Sequence, residues 1–260
     1  MFADYYTSKQ SMAAFDALYL NHYQLQDKFV DFWDYTSKAL TSNPYVVGFD
    51  PLNEPYPGNW IKNLEVVAPG RFDHDRLEPM YARIFDRYYK NDPDSIMFFE
   101  PGTFPDVLKR YGAILPVGFE KPPGAEFGSR NHVLNDHTYC CQMNPTVCAS
   151  GEPSTDLADE CYDWHELRIK TRKVDADRLG LPLIISEFGA CLTDGPCTQE
   201  IRQVGEVCDA HLAGWAYWEF KSFEDLTTSA GVGAEGFYNK DGSLQDYKVK
   251  ALARTYLMAS

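Results

Sequence analysis

Five short apolar runs, each preceded by a helix-like segment and each ending in polar residues, restrict the fold of this chain more than any other feature. The runs cover residues 45–49, 96–99, 132–135, 183–185 and 212–217. Helical spacing of apolar residues is clearest in residues 11–40, 77–89, 164–178 and 201–210. Helices that alternate with buried-type strands are typical of a parallel α/β architecture, in which function sits at the carboxyl ends of the strands.

Two parallel α/β architectures compete, an open doubly wound sheet and a closed eight-stranded barrel. No glycine fingerprint follows a strand, so the nucleotide-binding form of the open sheet is disfavoured. A closed barrel needs eight strands in about 250 residues, whereas five are found here and only 44 residues precede the first. We predict an α/β fold, a partial TIM (β/α)8 barrel with strands four to eight and their helices. Residues 1–260 are then the C-terminal part of one catalytic barrel.

Composition limits the class of partner. Hydrophobic residues make up 44% of the chain and aromatic residues 15%, enough for a large core. The 24 Lys and Arg residues stand against 38 Asp and Glu residues, and a net charge of -14 would repel a phosphate backbone. The sequence therefore predicts no nucleic-acid partner. Neither a transmembrane run of about 20 apolar residues nor a signal peptide is visible, so we expect neither in this chain.

Seven cysteines are concentrated in residues 140–208. Such a local density suits disulfides between loops of a secreted protein, with structural thiols as the alternative reading. The odd count leaves at least one thiol free or paired elsewhere. No CxxC pair or HxxxH spacing accompanies the cysteines, so no metal site is predicted.

Carboxylates at strand ends are the candidates for chemistry. Glu54, Glu100, Glu187 and Glu219 all follow predicted strands, while Asp50 sits within one and is expected to play a supporting part. Glycoside hydrolysis needs two carboxyl groups that flank one bond. A single strand-end carboxylate is more often a solvated or capping group, so position alone does not select a pair.

Two motifs resemble those of glycoside hydrolase family 5. GFDPLNEP at residues 48–55 resembles its acid/base motif, and LIISEFGA at residues 183–190 resembles its nucleophile strand. FFEP, VLNDHTYC and GWAYWEF occur in matching order at residues 98–101, 133–140 and 214–220. Within the family the chain is most similar to the endoglycoceramidase group, and this similarity extends from DYYTSKQSMAAFDALY near the N-terminus to RTYLMAS at the C-terminus.

The resemblance implies an activity and a setting. The expected enzyme is a retaining endo-β-glycosidase that cleaves the bond between oligosaccharide and ceramide in glycosphingolipids. It needs neither a metal nor an organic cofactor, and it contacts a lipid surface transiently. The full-length protein is expected to be secreted or lysosome-like.

The resemblance also implies roles for individual residues. Glu54 is the expected general acid/base, Glu187 the nucleophile, and Asn53 the ligand of the sugar 2-hydroxyl. His137 and Tyr139 are expected to orient Glu54 and to contact Glu187 or the substrate.

Three further side chains have competing readings. Trp218 is expected to form an aromatic floor under the sugar, although by sequence alone a core tryptophan is the simpler interpretation. Glu100 is expected to support the site through hydrogen bonds, and Glu219 could contact substrate.

Two other functions remain open. One is a family 5 glucanase or β-glucosidase that acts on a polysaccharide or sterol glucoside, and the other is a non-catalytic glycolipid-binding remnant. A ceramide site should include an apolar groove, for which Val117, Phe119 and Phe127 are the candidates. The family carries sugar-binding residues on three earlier strands, and its endoglycoceramidase group carries a β-sandwich after the barrel. We therefore expect a fragment with exposed sheet edges, poor stability and little activity by itself.

Overall fold

The computed structural model describes six stretches of the chain. They are residues 6–108, 113–124, 129–140, 158–189, 196–221 and 235–254. The chain divides into two compact units. The first comprises residues 3–136 and 171–183, and the second comprises residues 137–170 and 184–260. Neither unit is therefore a continuous segment of the sequence.

All four segments predicted to be helical form helices, but the first is interrupted. The α-helices are α1 (Lys9–Tyr19), α2 (Leu25–Leu40), α3 (Glu78–Asn91), α4 (Ala158–Leu179), α5 (Pro196–Ala210) and α6 (Asp246–Leu252). Asn21, Tyr23 and Gln24 have positive φ angles of 55°, 56° and 61°. Left-handed residues cannot continue a right-handed helix, so residues 11–40 form two helices rather than one.

Three parallel strands run through the first unit. They are β1 (Gly48–Phe49), β2 (Ile96–Phe99) and β5 (His132–His137), of which β5 ends in the second unit. Gly48 pairs with Ile96 in β2, and Met97 pairs with His132 in β5, so the order is β1, β2, β5. An antiparallel pair, β3 (Val107–Leu108) and β4 (Ala113–Ile114), lies between β2 and β5 in the sequence.

The first strand is shorter than predicted. Only two residues of the run 45–49 pair as strand, and Tyr45 is 90% exposed and Val47 65% exposed. β1 stands at the end of the strand order, where the described residues give it one neighbour, β2. Gly48 allows that neighbour to come close, because a Cβ atom there would lie 2.1 Å from the carbonyl oxygen of Ile96. The prediction of a fully buried strand was therefore wrong for its first half.

The core of the first unit lies between α3 and β2. Tyr81 and Phe85 on α3 and Phe99 on β2 are fully buried. Phe119 packs edge-on against Phe99, with ring centroids 5.0 Å apart. Val117 is buried as well, so the suggestion that these two residues line an open apolar groove was wrong. The third candidate, Phe127, lies outside the described residues.

The second unit contains the parallel strands β6 (Leu183–Glu187), which begins in the first unit, and β7 (Gly214–Trp215). Ile184 pairs with Gly214. β7 is shorter than the predicted run 212–217, and at the start of that run Leu212 is exposed and has a positive φ of 52°. Backbone hydrogen bonds nevertheless continue beyond β7, since the Trp218 N–H donates to the Phe188 carbonyl at 3.1 Å. Across the described ranges, no helix is long and apolar enough to cross a bilayer.

One disulfide is present among the described cysteines. Cys140, just after β5, is bonded to Cys161 on α4, with their Cα atoms 5.2 Å apart. Cys208 on α5 is a buried free thiol, and burial raises its pKa to about 12. The other four cysteine side chains lie outside the described part of the structure. The expectation of a disulfide is confirmed for this pair, although Cys161 lies on a helix and not in a loop.

A cluster of buried charges lies within the first unit, which includes the C-terminal part of α4 from residue 171. Arg172 is 1% exposed and donates to Asp136 at 2.7 Å and to Asp175 at 3.0 Å. Asp73 accepts the backbone N–H groups of Gly102 at 2.7 Å and Gly118 at 2.8 Å. Burial raises the pKa of Asp73 to about 6, although these N–H groups and Arg172 oppose the rise.

We expect the free energy of unfolding to fall as the pH rises through the titration of Asp73. Its carboxyl has an ordinary pKa of 3.8 and a pKa of about 6 in the folded protein. Between those values the folded state binds more protons, so this stabilisation is fully present below the lower value and is lost as pH rises through the higher one. The difference corresponds to about 3 kcal/mol.

Urea unfolding measured from about pH 4 to pH 7 tests this expectation against the Asp73→Asn variant. The variant should be less stable at low pH, because an amide cannot accept both N–H groups as a carboxyl can. Its stability should also depend less on pH. Parallel curves for the two proteins would contradict the assignment of the titration to Asp73.

Candidate active site

The first unit holds Glu54 on the loop that follows β1. Glu54 has a positive φ of 45°, and its backbone N–H donates to Oε2 of Glu100 at 2.9 Å. Glu100 follows β2 directly and is 3% exposed. A buried carboxylate that accepts this N–H stabilises an unusual backbone conformation at Glu54. Asn53, the residue before it, is exposed.

Polar side chains at the ends of neighbouring strands support this loop. Asn135 on β5 donates through Nδ2 to Asp50 Oδ2 at 2.7 Å and to Glu100 Oε1 at 3.5 Å. These hydrogen bonds agree with the supporting roles that the sequence predicts for Asp50 and Glu100. Sequence reasoning missed Asn135, although its signal was present as an amide inside a predicted buried strand.

The second unit holds Glu187 as the last residue of β6. Its carboxylate oxygen Oε2 accepts a hydrogen bond from the Tyr139 hydroxyl at 3.0 Å and lies 3.4 Å from Nδ1 of His137. The other ring nitrogen of His137 lies 3.2 Å from the Ser186 hydroxyl. The Glu187 side chain is 14% exposed. The structure thus brings together three of the residues singled out by sequence.

Trp218 follows β7 and is 37% exposed, so the reading as a core tryptophan was wrong. Its ring nitrogen Nε1 donates to Glu235 Oε2 at 3.1 Å. Glu219 is buried, and its N–H donates to the Glu235 carbonyl at 3.1 Å. No pattern in the sequence marked Glu235, because it lies 17 residues beyond the tryptophan that it binds.

The chemistry available at Glu187 follows from its neighbours. A phenol and an imidazole against Oε2 hold the carboxylate plane in one orientation, as an in-line attack on carbon requires. In the first unit, the carboxylate of Glu100 accepts a hydrogen bond from the backbone N–H of Glu54. The functional roles predicted for Asn53, Glu54, His137, Tyr139, Glu187 and Trp218 stay predictions.

Comparison with known proteins gives a family. A model of the cellulase family, glycosyl hydrolase family 5, matches residues 5–224. The endoglycoceramidase of Cyanea nozakii is 26% identical over 260 residues, which cover 98% of this chain and 46% of that protein. The endoglycoceramidase of Hydra vulgaris is 27% identical over 229 residues, which cover 88% of this chain and 38% of that protein. The chain thus spans less than half the length of these relatives.

Solved structures establish the fold. Endo-glycoceramidase II from Rhodococcus sp. in an iminocyclitol complex superposes with a TM-score of 0.69 at 23% identity, over 94% of this chain and 51% of that chain. Its complex with ganglioside GM3 superposes with a TM-score of 0.70 at 22% identity, over 95% of this chain and 50% of that chain. The predicted fold class, a partial TIM barrel of parallel strands and helices, is confirmed.

Proposed function

The chain belongs to glycosyl hydrolase family 5, and from this membership we propose that it forms part of the catalytic barrel of a retaining endo-β-glycosidase. The proposed reaction cleaves the bond between oligosaccharide and ceramide in a glycosphingolipid. The names of the two relatives and the ganglioside complex of the solved neighbour support this substrate class. The observation that carries the catalytic part is the setting of Glu187 against Tyr139 and His137 at the end of β6.

The proposed mechanism uses two carboxyl groups in turn. Glu187 attacks the anomeric carbon while Glu54 donates its proton to the glycosidic oxygen, so the carbon–oxygen bond breaks and ceramide leaves as an alcohol. Glu54, now ionised, then takes a proton from water, whose oxygen attacks the same carbon and releases the glycan from Glu187. Two displacements at one carbon retain its configuration.

The remaining predicted residues serve this reaction. Tyr139 stabilises the carboxylate of Glu187 before attack, and Asn53 binds the sugar 2-hydroxyl, a bond that strengthens as positive charge develops on the ring. The exposed ring of Trp218, held by Glu235, offers an apolar face to the C–H face of a pyranose.

We also propose a secreted or lysosome-like location, which the Cys140–Cys161 disulfide supports because such bonds persist in oxidising compartments. A substrate with a ceramide tail resides in membranes, so the proposed activity includes transient contact with a lipid surface. A glucanase remains the second candidate, since the matching family is described as cellulase.

The test is hydrolysis of fluorescent lactosylceramide, with cello-oligosaccharides in parallel, by residues 1–260 and by a longer form of the protein. Release of intact ceramide and lactose supports the proposal. Turnover of cello-oligosaccharides alone would indicate a glucanase, and binding of lactosylceramide without hydrolysis would indicate a non-catalytic protein. Little activity from residues 1–260 alone is the sequence-based expectation, which equal rates for the two forms would contradict.

A further inference from the structure

Residues 137–140, which we call the 137–140 segment, reach in two directions. His137 and Tyr139 contact the carboxylate of Glu187, at 3.4 Å and 3.0 Å. The backbone N–H of Thr138 donates to the carbonyl of Glu187 at 3.0 Å. Thr138 and Cys140 instead contact residues of α4, so this segment has one face towards Glu187 and one face away from it.

The face away from Glu187 is fastened to α4 at two adjacent points. The Thr138 hydroxyl lies 2.8 Å from Nδ1 of His165, whose Nε2 lies 2.7 Å from Oε1 of Glu200. Cys140 forms its disulfide with Cys161, one helical turn before the histidine. A carboxylate oxygen of Glu200 lies within 4.8 Å of both sulfur atoms. The hydrogen-bond chain and the disulfide thus form one contiguous group, which we call the α4 anchor.

The α4 anchor is buried and polar, and apolar packing alone would hold a loop at a lower cost in free energy. Thr138, His165 and Glu200 are each 5% exposed or less. Burying a carboxylate and an imidazole is unfavourable unless both are hydrogen-bonded. In the neutral tautomer, an imidazole that donates from Nε2 to Glu200 accepts at Nδ1, so the Thr138 hydroxyl is held in direction as well as in distance.

We propose that the α4 anchor positions His137 and Tyr139 against Glu187, with Thr138 and His165 as positioning residues rather than catalytic ones. The inference rests on the proposed function, in which Glu187 is the nucleophile. Misplacement of a catalytic group by about 1 Å can cost on the order of 100-fold in rate. Loss of the anchor therefore lowers the rate of attack by Glu187 and leaves sugar binding nearly unchanged.

The test compares Thr138→Val, which keeps the shape of the side chain and removes the hydroxyl, with Thr138→Ser, which keeps the hydroxyl. Urea unfolding first establishes that each variant is folded at the assay temperature. On lactosylceramide, kcat of Thr138→Val should fall at least about tenfold with KM within about twofold, because the loss is confined to the transition state. Thr138→Ser should recover kcat to within about threefold of the unsubstituted protein.

The contribution of the disulfide can be tested against a matched control in the same unit. Cys161→Ser should lower kcat, whereas Cys208→Ser, which changes a buried thiol on α5, should not. If Thr138→Val does not fold, this pair of variants decides. Unchanged kcat in both Thr138→Val and Cys161→Ser would overturn the proposal.

A readout independent of activity separates this proposal from the proposed function. The chain has six histidines, so the ring signals of His137 can be identified by nuclear magnetic resonance in histidine-labelled protein with His137→Asn as reference. Those signals should move in Thr138→Val and stay in place in Thr138→Ser. If the unsubstituted protein hydrolyses none of the glycosides, the proposed function fails, and the His137 signals alone then test the positioning role. Identical His137 signals in Thr138→Val and Thr138→Ser would overturn that role.

Discussion

Replacing Glu187 with Gln is expected to lower glycoside hydrolysis by on the order of 10⁴-fold or more, because an amide cannot form the glycosyl–enzyme bond. Replacing Glu54 with Gln should act differently. General acid catalysis contributes about 10²- to 10⁴-fold, and it matters less when the leaving group needs no proton. We therefore expect Glu54→Gln to retain rapid bond cleavage on an aryl glycoside with an acidic phenol, and to lose it on lactosylceramide.

Azide distinguishes the two carboxylates chemically. With Glu54→Ala, azide should attack the glycosyl enzyme and release a product of retained configuration. With Glu187→Ala, azide should occupy the place of the missing nucleophile and release a product of inverted configuration from an activated substrate. Glu206→Gln, a change of an exposed glutamate on α5, is the matched control and should leave the rate unchanged. The same configuration from both variants would contradict the assigned roles.

Replacing Arg172 with Met is expected to lower the free energy of unfolding by about 3 to 5 kcal/mol, since it leaves buried carboxylates without their counter-charge. Arg172 binds Asp136 and Asp175 in a region where all three side chains are buried. Burial raises the pKa of Asp175 even with the arginine beside it. The destabilisation should shrink as the pH falls, because protons can then neutralise the buried carboxylates that have lost their counter-charge.

Urea unfolding at about pH 5 and pH 7 measures this effect. Lys170→Met removes an ion pair with Glu166 on the same helix, but that pair is largely in solvent, so its loss should change stability far less. Equal free energies of unfolding for Arg172→Met and Lys170→Met would contradict the expected contribution of the buried cluster to stability. A loss of stability in Arg172→Met that did not depend on pH would contradict it as well.

Local patterns were sufficient for most of the elements and for the position of Glu187 at the end of a strand. The run 96–99 forms β2 with the predicted bounds, and Glu187 ends β6, because strand periodicity and the turn that follows are encoded within a few residues. The strand at residues 45–49 shows the limit of this reasoning. Apolar composition predicted burial of Tyr45 and Val47, but exposure depends on which strands lie beside β1.

The sequence by itself determined the alternation of helices and strands, the family motifs, and the placement of Glu54 after one parallel strand and of Glu187 at the end of another. Only the tertiary structure decided which side chains meet. Glu100 binds the Glu54 backbone across 46 residues, Tyr139 reaches Glu187 across 48, and Thr138 meets His165 across 27. Such contacts are set by the packing of whole elements, whereas periodicity and turn chemistry report only on neighbours along the chain.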